Sequence, residues 1–115
     1  MDQKVIDKSA ATVRLADGRT VVYAEHGDVD GIPLIALHGT PGSRINWRTA
    51  DASARAHGLR LIAPDRVGCG LSDPKPGRTI VDAAVDVAEL ADLLGIDRFF
   101  VIGLSGGGPH AAATA

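Results

Sequence analysis

Ser105 stands in Gly103-Leu104-Ser105-Gly106-Gly107, a G-x-S-x-G spacing that suits a nucleophilic hydroxyl on a sharp turn. Ahead of it, Phe99-Phe100-Val101-Ile102 is a short apolar, partly β-branched run that reads as a buried strand. Behind it, Ala111-Ala112-Ala113 are good helix formers. Strand, tight turn and helix are therefore expected in that order. A serine on such a turn takes an unusual backbone conformation, and nearby side chains would clash. Glycines two residues before and after it remove those Cβ atoms. The hydroxyl then stands clear of the sheet at a helix N-terminus, where free N–H groups and the helix dipole favour developing negative charge. A phosphate-binding loop needs Lys-Ser/Thr after its last glycine, whereas Gly108 is followed by Pro109 and His110. A dinucleotide fingerprint needs a middle glycine where this chain has Ser105, and no acidic residue follows. A purely structural strand-to-helix turn remains the alternative to a nucleophile on this stretch alone.

Five strands and three helices are expected to position this turn. Ala11–Leu15 and Thr20–Ala24 flank Ala16-Asp17-Gly18-Arg19, and Asp-Gly between β-rich runs signals a hairpin. His26-Gly27-Asp28 to Gly31 reads as a polar loop. Pro33–Leu37 is a third strand, apolar on both faces, and it runs into the Gly- and Pro-rich loop His38-Gly39-Thr40-Pro41-Gly42-Ser43. Arg44 to Ala56 carries Ile45, Trp47, Ala50 and Ala54 at helical spacing, with Ser43 as a cap and Gly58 as a stop. Leu59–Ala63 is the fourth strand, halted by Pro64. A long loop of turn residues, Asp65 to Gly77, follows. Thr79 with Asp82 caps the next helix, whose apolar stripe is expected at Val81, Ala84, Val85, Ala88, Ala91 and Leu94. After the hairpin, strands alternate with helices, which predicts an α/β fold with a mostly parallel sheet.

Composition narrows the function classes. The chain has 115 residues, 45% hydrophobic and 23% charged, which is ordinary for one globular domain or a piece of one. Its formal net charge of −2 gives no electrostatic case for nucleic acid or an anionic membrane. Aromatic content of 3% argues against base-stacking surfaces. The single cysteine, Cys69, excludes an internal disulfide or a multi-cysteine metal site and is read as a small loop or core residue. Residues 1–10 form a polar segment without the apolar core of a signal peptide, and no apolar run approaches a membrane span. The cytoplasm is the default location.

Three stretches agree with one another: His38-Gly39-Thr40-Pro41-Gly42 after the third strand, Asp65 to Asp73 after the fourth, and Gly103 to Gly107 after the fifth. Together they resemble the α/β-hydrolase superfamily, and within it the bacterial serine hydrolases with an H-G-x-P loop. The resemblance covers about Ala11 to Ala115. It implies that Ser105 is the nucleophile, and that the backbone N–H groups of Gly106 and Thr40 form an oxyanion hole. It further implies that His38 is structural, that Gly39 and Pro41 stiffen the loop, and that Gly103 and Gly107 permit the turn. The expected strand order is 1-2-4-3-5, with the fifth strand at an edge. Cys69 departs from the aromatic residue often found there.

The family's triad runs serine, acid, histidine along the chain. After Ser105 there is no carboxylate, and His110 is expected to be a packing or helix-surface residue rather than a base. Asp65, Asp73 and Asp86 are read as loop, cap or surface charges. Residues 11–115 are accordingly expected to be the N-terminal portion of a single hydrolase domain, truncated after the elbow helix. The implied activity is acyl transfer on an ester, thioester or amide-like bond of a small molecule. No cofactor, metal, nucleic acid or membrane partner is implied, and the oligomeric state is left open. Rival readings are a cofactor-free peroxidase, lyase or C–C hydrolase on the same scaffold, and a non-catalytic binding module. Epoxide hydrolases and haloalkane dehalogenases are disfavoured, because the family's version of those has Asp where this chain has Ser105.

Overall fold

A computed structural model describes residues 10–39, 42–77 and 79–115. Asp17-Gly18 turns the chain between β1 (Ala11–Arg14) and β2 (Thr20–Gly27), with Gly18 at φ +93° and its N–H donating to the Leu15 carbonyl at 2.9 Å. Then come β3 (Ile32–Leu37), a 3-10 helix (Arg44–Ala50) running into α1 (Asp51–Ala56), β4 (Leu59–Pro64), α2 (Ile80–Leu93), β5 (Phe100–Gly103), a short 3-10 turn (Ser105–Gly107) and α3 (Gly108–Thr114). The sheet order is β1-β2-β4-β3-β5. β1, β2 and β4 pair antiparallel, whereas β3 pairs parallel with both β4 and β5. The hairpin thus continues a parallel three-stranded unit, as the spacing of strands and helices predicts. No described helix is long and apolar enough to cross a membrane.

Period-two alternation along β3 divides the core. Ile35 and Leu37 join Tyr23, Ile62, Val87 and Leu90 on one face, and Ala111 of α3 packs against that cluster. Ala36 joins Leu61 and Ala54 on the other face, backed by Trp47 and Ala50. Two helices therefore cover one side of the sheet, and the 3-10 helix with α1 covers the other.

Four expectations need correction. His26 and Gly27 belong to β2 rather than to a loop, because β4 offers them partners in Leu61 and Arg60. The segment after Ser43 begins as a 3-10 helix and becomes α-helical only at Asp51. The buried face of α2 is Ala83, Val87, Leu90 and Ala91, while Val81 and Val85 are exposed at 66% and 58%. That helix has two apolar stripes, and periodicity alone does not choose between them. The choice is made by its acidic residues: Asp86 accepts both terminal guanidinium nitrogens of Arg19, at 2.7 and 2.8 Å, and Glu89 accepts the Ala16 N–H. Both contacts turn the 86–89 edge toward the hairpin and bring Ala83 and Val87 onto the sheet. Finally, β5 is only half buried, with Phe100 and Ile102 exposed on the described edge. The Thr79–Asp82 cap forms reciprocally: the Thr79 hydroxyl accepts the Asp82 N–H at 3.1 Å, and the Asp82 carboxylate accepts the Thr79 N–H at 3.0 Å.

The Arg19–Asp86 pair is bidentate and mostly buried, with side chains 14% and 12% exposed. Arg19→Met should lower unfolding stability by about 2 kcal/mol, since it strands a part-buried carboxylate. Urea unfolding of wild type and variant measures this; unchanged stability would show that the pair does not fix the rotation of α2.

Candidate active site

β5 delivers the chain to the turn that bears Ser105. The Leu104 N–H donates to the Leu37 carbonyl at 3.1 Å, so the sheet ladder continues one residue past the strand. Ser105 then takes φ +50°, and it is the one non-glycine residue at positive φ among the described residues. A residue with a Cβ held there stores about 1–3 kcal/mol of strain. The turn closes when the Gly107 N–H donates to the Leu104 carbonyl at 2.8 Å. Ser105 is exposed. A Cβ at Gly103 would overlap the Gly107 carbonyl oxygen and lie 2.5 Å from its carbon. A Cβ at Gly107 would overlap the Leu37 carbonyl oxygen and lie 2.7 Å from that of His38. Both glycines are thus demanded by backbone contact, one within the turn and one between the turn and the end of β3.

That second contact places the exit of β3 beside the serine. His38 is fully buried there. Its Nδ1 lies 2.8 Å from the Gly39 carbonyl, and its Nε2 lies 3.0 Å from the Arg66 backbone nitrogen. The carbonyl can only accept and the amide can only donate, so the ring is neutral with its proton on Nδ1. Burial holds the His38 pKa below the ordinary imidazole range, with the Gly39 carbonyl opposing and the Arg66 charge assisting. Gly39 is buried, and Gly42 lies so close that a Cβ there would be 2.7 Å from the Gly39 carbonyl oxygen. Thr40 and Pro41 lie outside the described residues. Gly106 is the central residue of the 3-10 turn.

Four further residues shape the site, and the sequence alone assigns none of them to it. Asp65 is buried, and its carboxylate accepts the Arg44 N–H at 2.6 Å, Arg44 Nη1 at 2.8 Å and the Leu71 N–H at 2.9 Å. It is thus an internal anchor and not a surface or cap charge. Gly70, at φ +51°, leaves room for that carboxylate; a Cβ there would lie 2.5 Å from Asp65 Oδ1. Arg66 is also buried: its Nε–H donates to the His38 carbonyl at 2.9 Å, and its Nη1 lies 3.2 Å from His110 Nε2. His110 is a packing residue, 8% exposed, and not a helix-surface one. The available signal was a charged pair, Asp65-Arg66, at the carboxyl end of a buried parallel strand. Loop charges are ordinarily solvated, and only the tertiary contacts show otherwise. A cavity of about 30 Å³ lies between α2 and the ends of β3 and β4, lined by Leu37, Arg66, Val87 and His110 among others. It is water-sized. Cys69 is partly buried and unpaired by disulfide. Among the described residues no cluster of three or more His, Cys, Asp or Glu side chains could hold a metal ion.

Two measurements probe this geometry. Gly103→Ala and Gly107→Ala should each cost about 3 kcal/mol or more, because backbone must move. Gly108→Ala, one residue on, meets open space in helical backbone and should stabilise by about 0.5–1 kcal/mol. Equal effects at 107 and 108 in urea unfolding would contradict the packed turn. For His38, the unfolded imidazole titrates near ~6.5 and the folded one lower. Its contribution is therefore complete above ~6.5 and is lost as pH falls below that toward the depressed folded value. His38→Asn should flatten the fall in stability between about pH 7.5 and 5.5; a slope equal to wild type would contradict a neutral buried ring.

Comparison with known proteins agrees with this architecture. Residues 32–115 match the family model for the alpha/beta hydrolase fold. The chain is 38% identical over 102 residues to a non-heme chloroperoxidase of Streptomyces lividans, covering 88% of this chain and 37% of that protein. It is 43% identical over 95 residues to a soluble epoxide hydrolase of Corynebacterium sp. (strain C12), covering 82% and 32%. An epoxide hydrolase structure from an endophytic Streptomyces superposes with a TM-score of 0.80 at 29% identity, covering 94% and 33%. The chain thus spans about a third of the length of the relatives it matches. On sequence and on fold, this chain belongs to the alpha/beta hydrolase family.

Proposed function

We propose that this chain carries the nucleophile and oxyanion-binding half of a serine hydrolase that acts by acyl transfer on small esters, thioesters or amides. The single observation that supports this most is the strained, exposed backbone of Ser105, held by two glycines that no larger residue could replace. A turn that served structure alone would gain stability by relaxing to a glycine at 105. In the proposed reaction, Ser105 Oγ bonds to the substrate's carbonyl carbon while its proton passes to a base. The oxygen that becomes negative accepts hydrogen bonds from the backbone N–H groups of Gly106 and Thr40. Collapse expels the leaving group, which takes the proton, and water then attacks the acyl-serine and regenerates the hydroxyl. His38 is unsuited to the role of base, because both ring nitrogens are already engaged and it is buried. His110 is unsuited too, since a proton accepted there would sit beside the permanent Arg66 charge. We place the acid and base in sequence beyond these 115 residues, in keeping with the fraction of its relatives that the chain spans. The polypeptide of 115 residues is then expected to hydrolyse p-nitrophenyl acetate no faster than background.

The likeness to a non-heme chloroperoxidase favours a second reading, a cofactor-free peroxidase on the same scaffold. The epoxide hydrolase likeness carries less weight for the reaction, because Ser105 stands where the family resemblance puts Asp in those enzymes. In the natural protein that carries this chain, a serine-directed fluorophosphonate should label Ser105 and fail to label Ser105→Ala. The same substitution should lower ester turnover by at least about 1000-fold. Equal labelling of both proteins would remove the nucleophile assignment. Peroxide-dependent halogenation without ester turnover would favour the second reading.

A further inference from the structure

We infer that Arg66 is a positioning residue that locks the β3 exit and the Ser105 turn into one register. Its structural part stands on geometry; its catalytic consequence rests on the serine-hydrolase reading. Arg66 is 7% exposed and touches both sides of the site. Its backbone N–H donates to His38 Nε2 at 3.0 Å, and its Nε–H donates to the His38 carbonyl at 2.9 Å. Its Nη1 lies 3.2 Å from His110 Nε2 and 3.3 Å from Nδ1, and His110 belongs to α3, which starts at the Ser105 turn. The residue before it, Asp65, grips Arg44 through backbone and side chain. The Asp65-Arg66 pair therefore holds positions 38 and 44, the two ends of the segment that carries Thr40, while Arg66 also reaches the helix behind the serine. Catalytic amides have to be held within about 0.5 Å of their working places. Here they come from two separate loops, and this guanidinium is bonded to one and packed on the helix of the other. A planar fork can serve both partners at once, which a lysine ammonium at the end of a flexible stem cannot.

Replacement of Arg66 tests this in the natural protein that carries the chain. Arg66→Met should lower kcat for ester hydrolysis about 10- to 100-fold, the penalty of an ångström-scale misplacement, with KM changed less than about threefold. Arg66→Lys keeps the charge and should recover less than half of the lost activation free energy. Arg19→Met, which breaks a buried pair away from the site, should lower stability and leave kcat unchanged. A readout independent of activity is amide exchange by NMR: Arg66→Met should speed exchange at least about tenfold at Arg44, Leu104 and Gly107, while β2 and β4 amides keep wild-type rates. Should Arg66→Met fail to fold, Arg66→Lys carries the same exchange comparison. Wild-type exchange at either the loop or the turn, or a rise that is uniform across the sheet, would overturn the inference. Retained activity in Ser105→Ala would sink the serine reading instead, and would leave the exchange result to decide the role of Arg66.

Discussion

The architecture depends on one close approach, the contact of the Gly107 Cα with the carbonyl oxygens of Leu37 and His38. Nothing larger than hydrogen fits there. The contact seats the turn against the end of β3, and the Leu104–Leu37 hydrogen bond fixes its height along the sheet. Every other feature of the site follows from that seating. Ser105 is forced to positive φ because its neighbours on both sides are pinned. The β3 exit is brought beside it because the same atoms make both surfaces. Sterics of the order of a single methyl group thus decide where the hydroxyl stands.

Charge is used inside this molecule chiefly to fix one element against another. Arg19–Asp86 ties the hairpin to α2, Asp65–Arg44 ties the β4 exit to the 3-10 helix, and Arg66 ties both to α3. Each partner is buried or nearly so, and Asp65 and Arg66 bond to backbone as well as to side chains. Isolated exposed pairs contribute little, whereas these have desolvated geometry and multiple donors. Their benefit is orientation: they choose among packings that the small Ala- and Val-rich core would otherwise leave nearly equivalent.

Much of this was legible in the chain. The glycine spacing around Ser105, the Asp-Gly hairpin and the Thr79–Asp82 cap are local chemistry, and each forms where its residues stand. The strand order also agrees with the one that the family resemblance implies. What could not be read locally was everything decided by a distant partner. The rotation of α2 depends on Arg19, far upstream, since Val81, Val85 and Ala88 are as apolar as Ala83, Val87 and Ala91. The extension of β2 through His26 depends on β4 lying alongside. Asp65 and Arg66 look like solvated loop residues, and His110 like either a packing or a surface residue of its helix, until the ends of three elements converge on them. The candidate serine was visible from its flanks, while the residues that brace it were not.

The pairing of Leu34 with Phe100 and of Leu37 with Gly103 joins strands more than half the chain apart. Such long-range parallel contacts form slowly, because the intervening loop loses its freedom before any bond is gained. The backbone torsion at Ser105 exists only once that pairing is complete. A partially folded chain, even one with hairpin and helices in place, would carry a relaxed and ordinary serine. The geometry of this turn is therefore a late product of folding, and it doubles as a report that the molecule has reached its final topology.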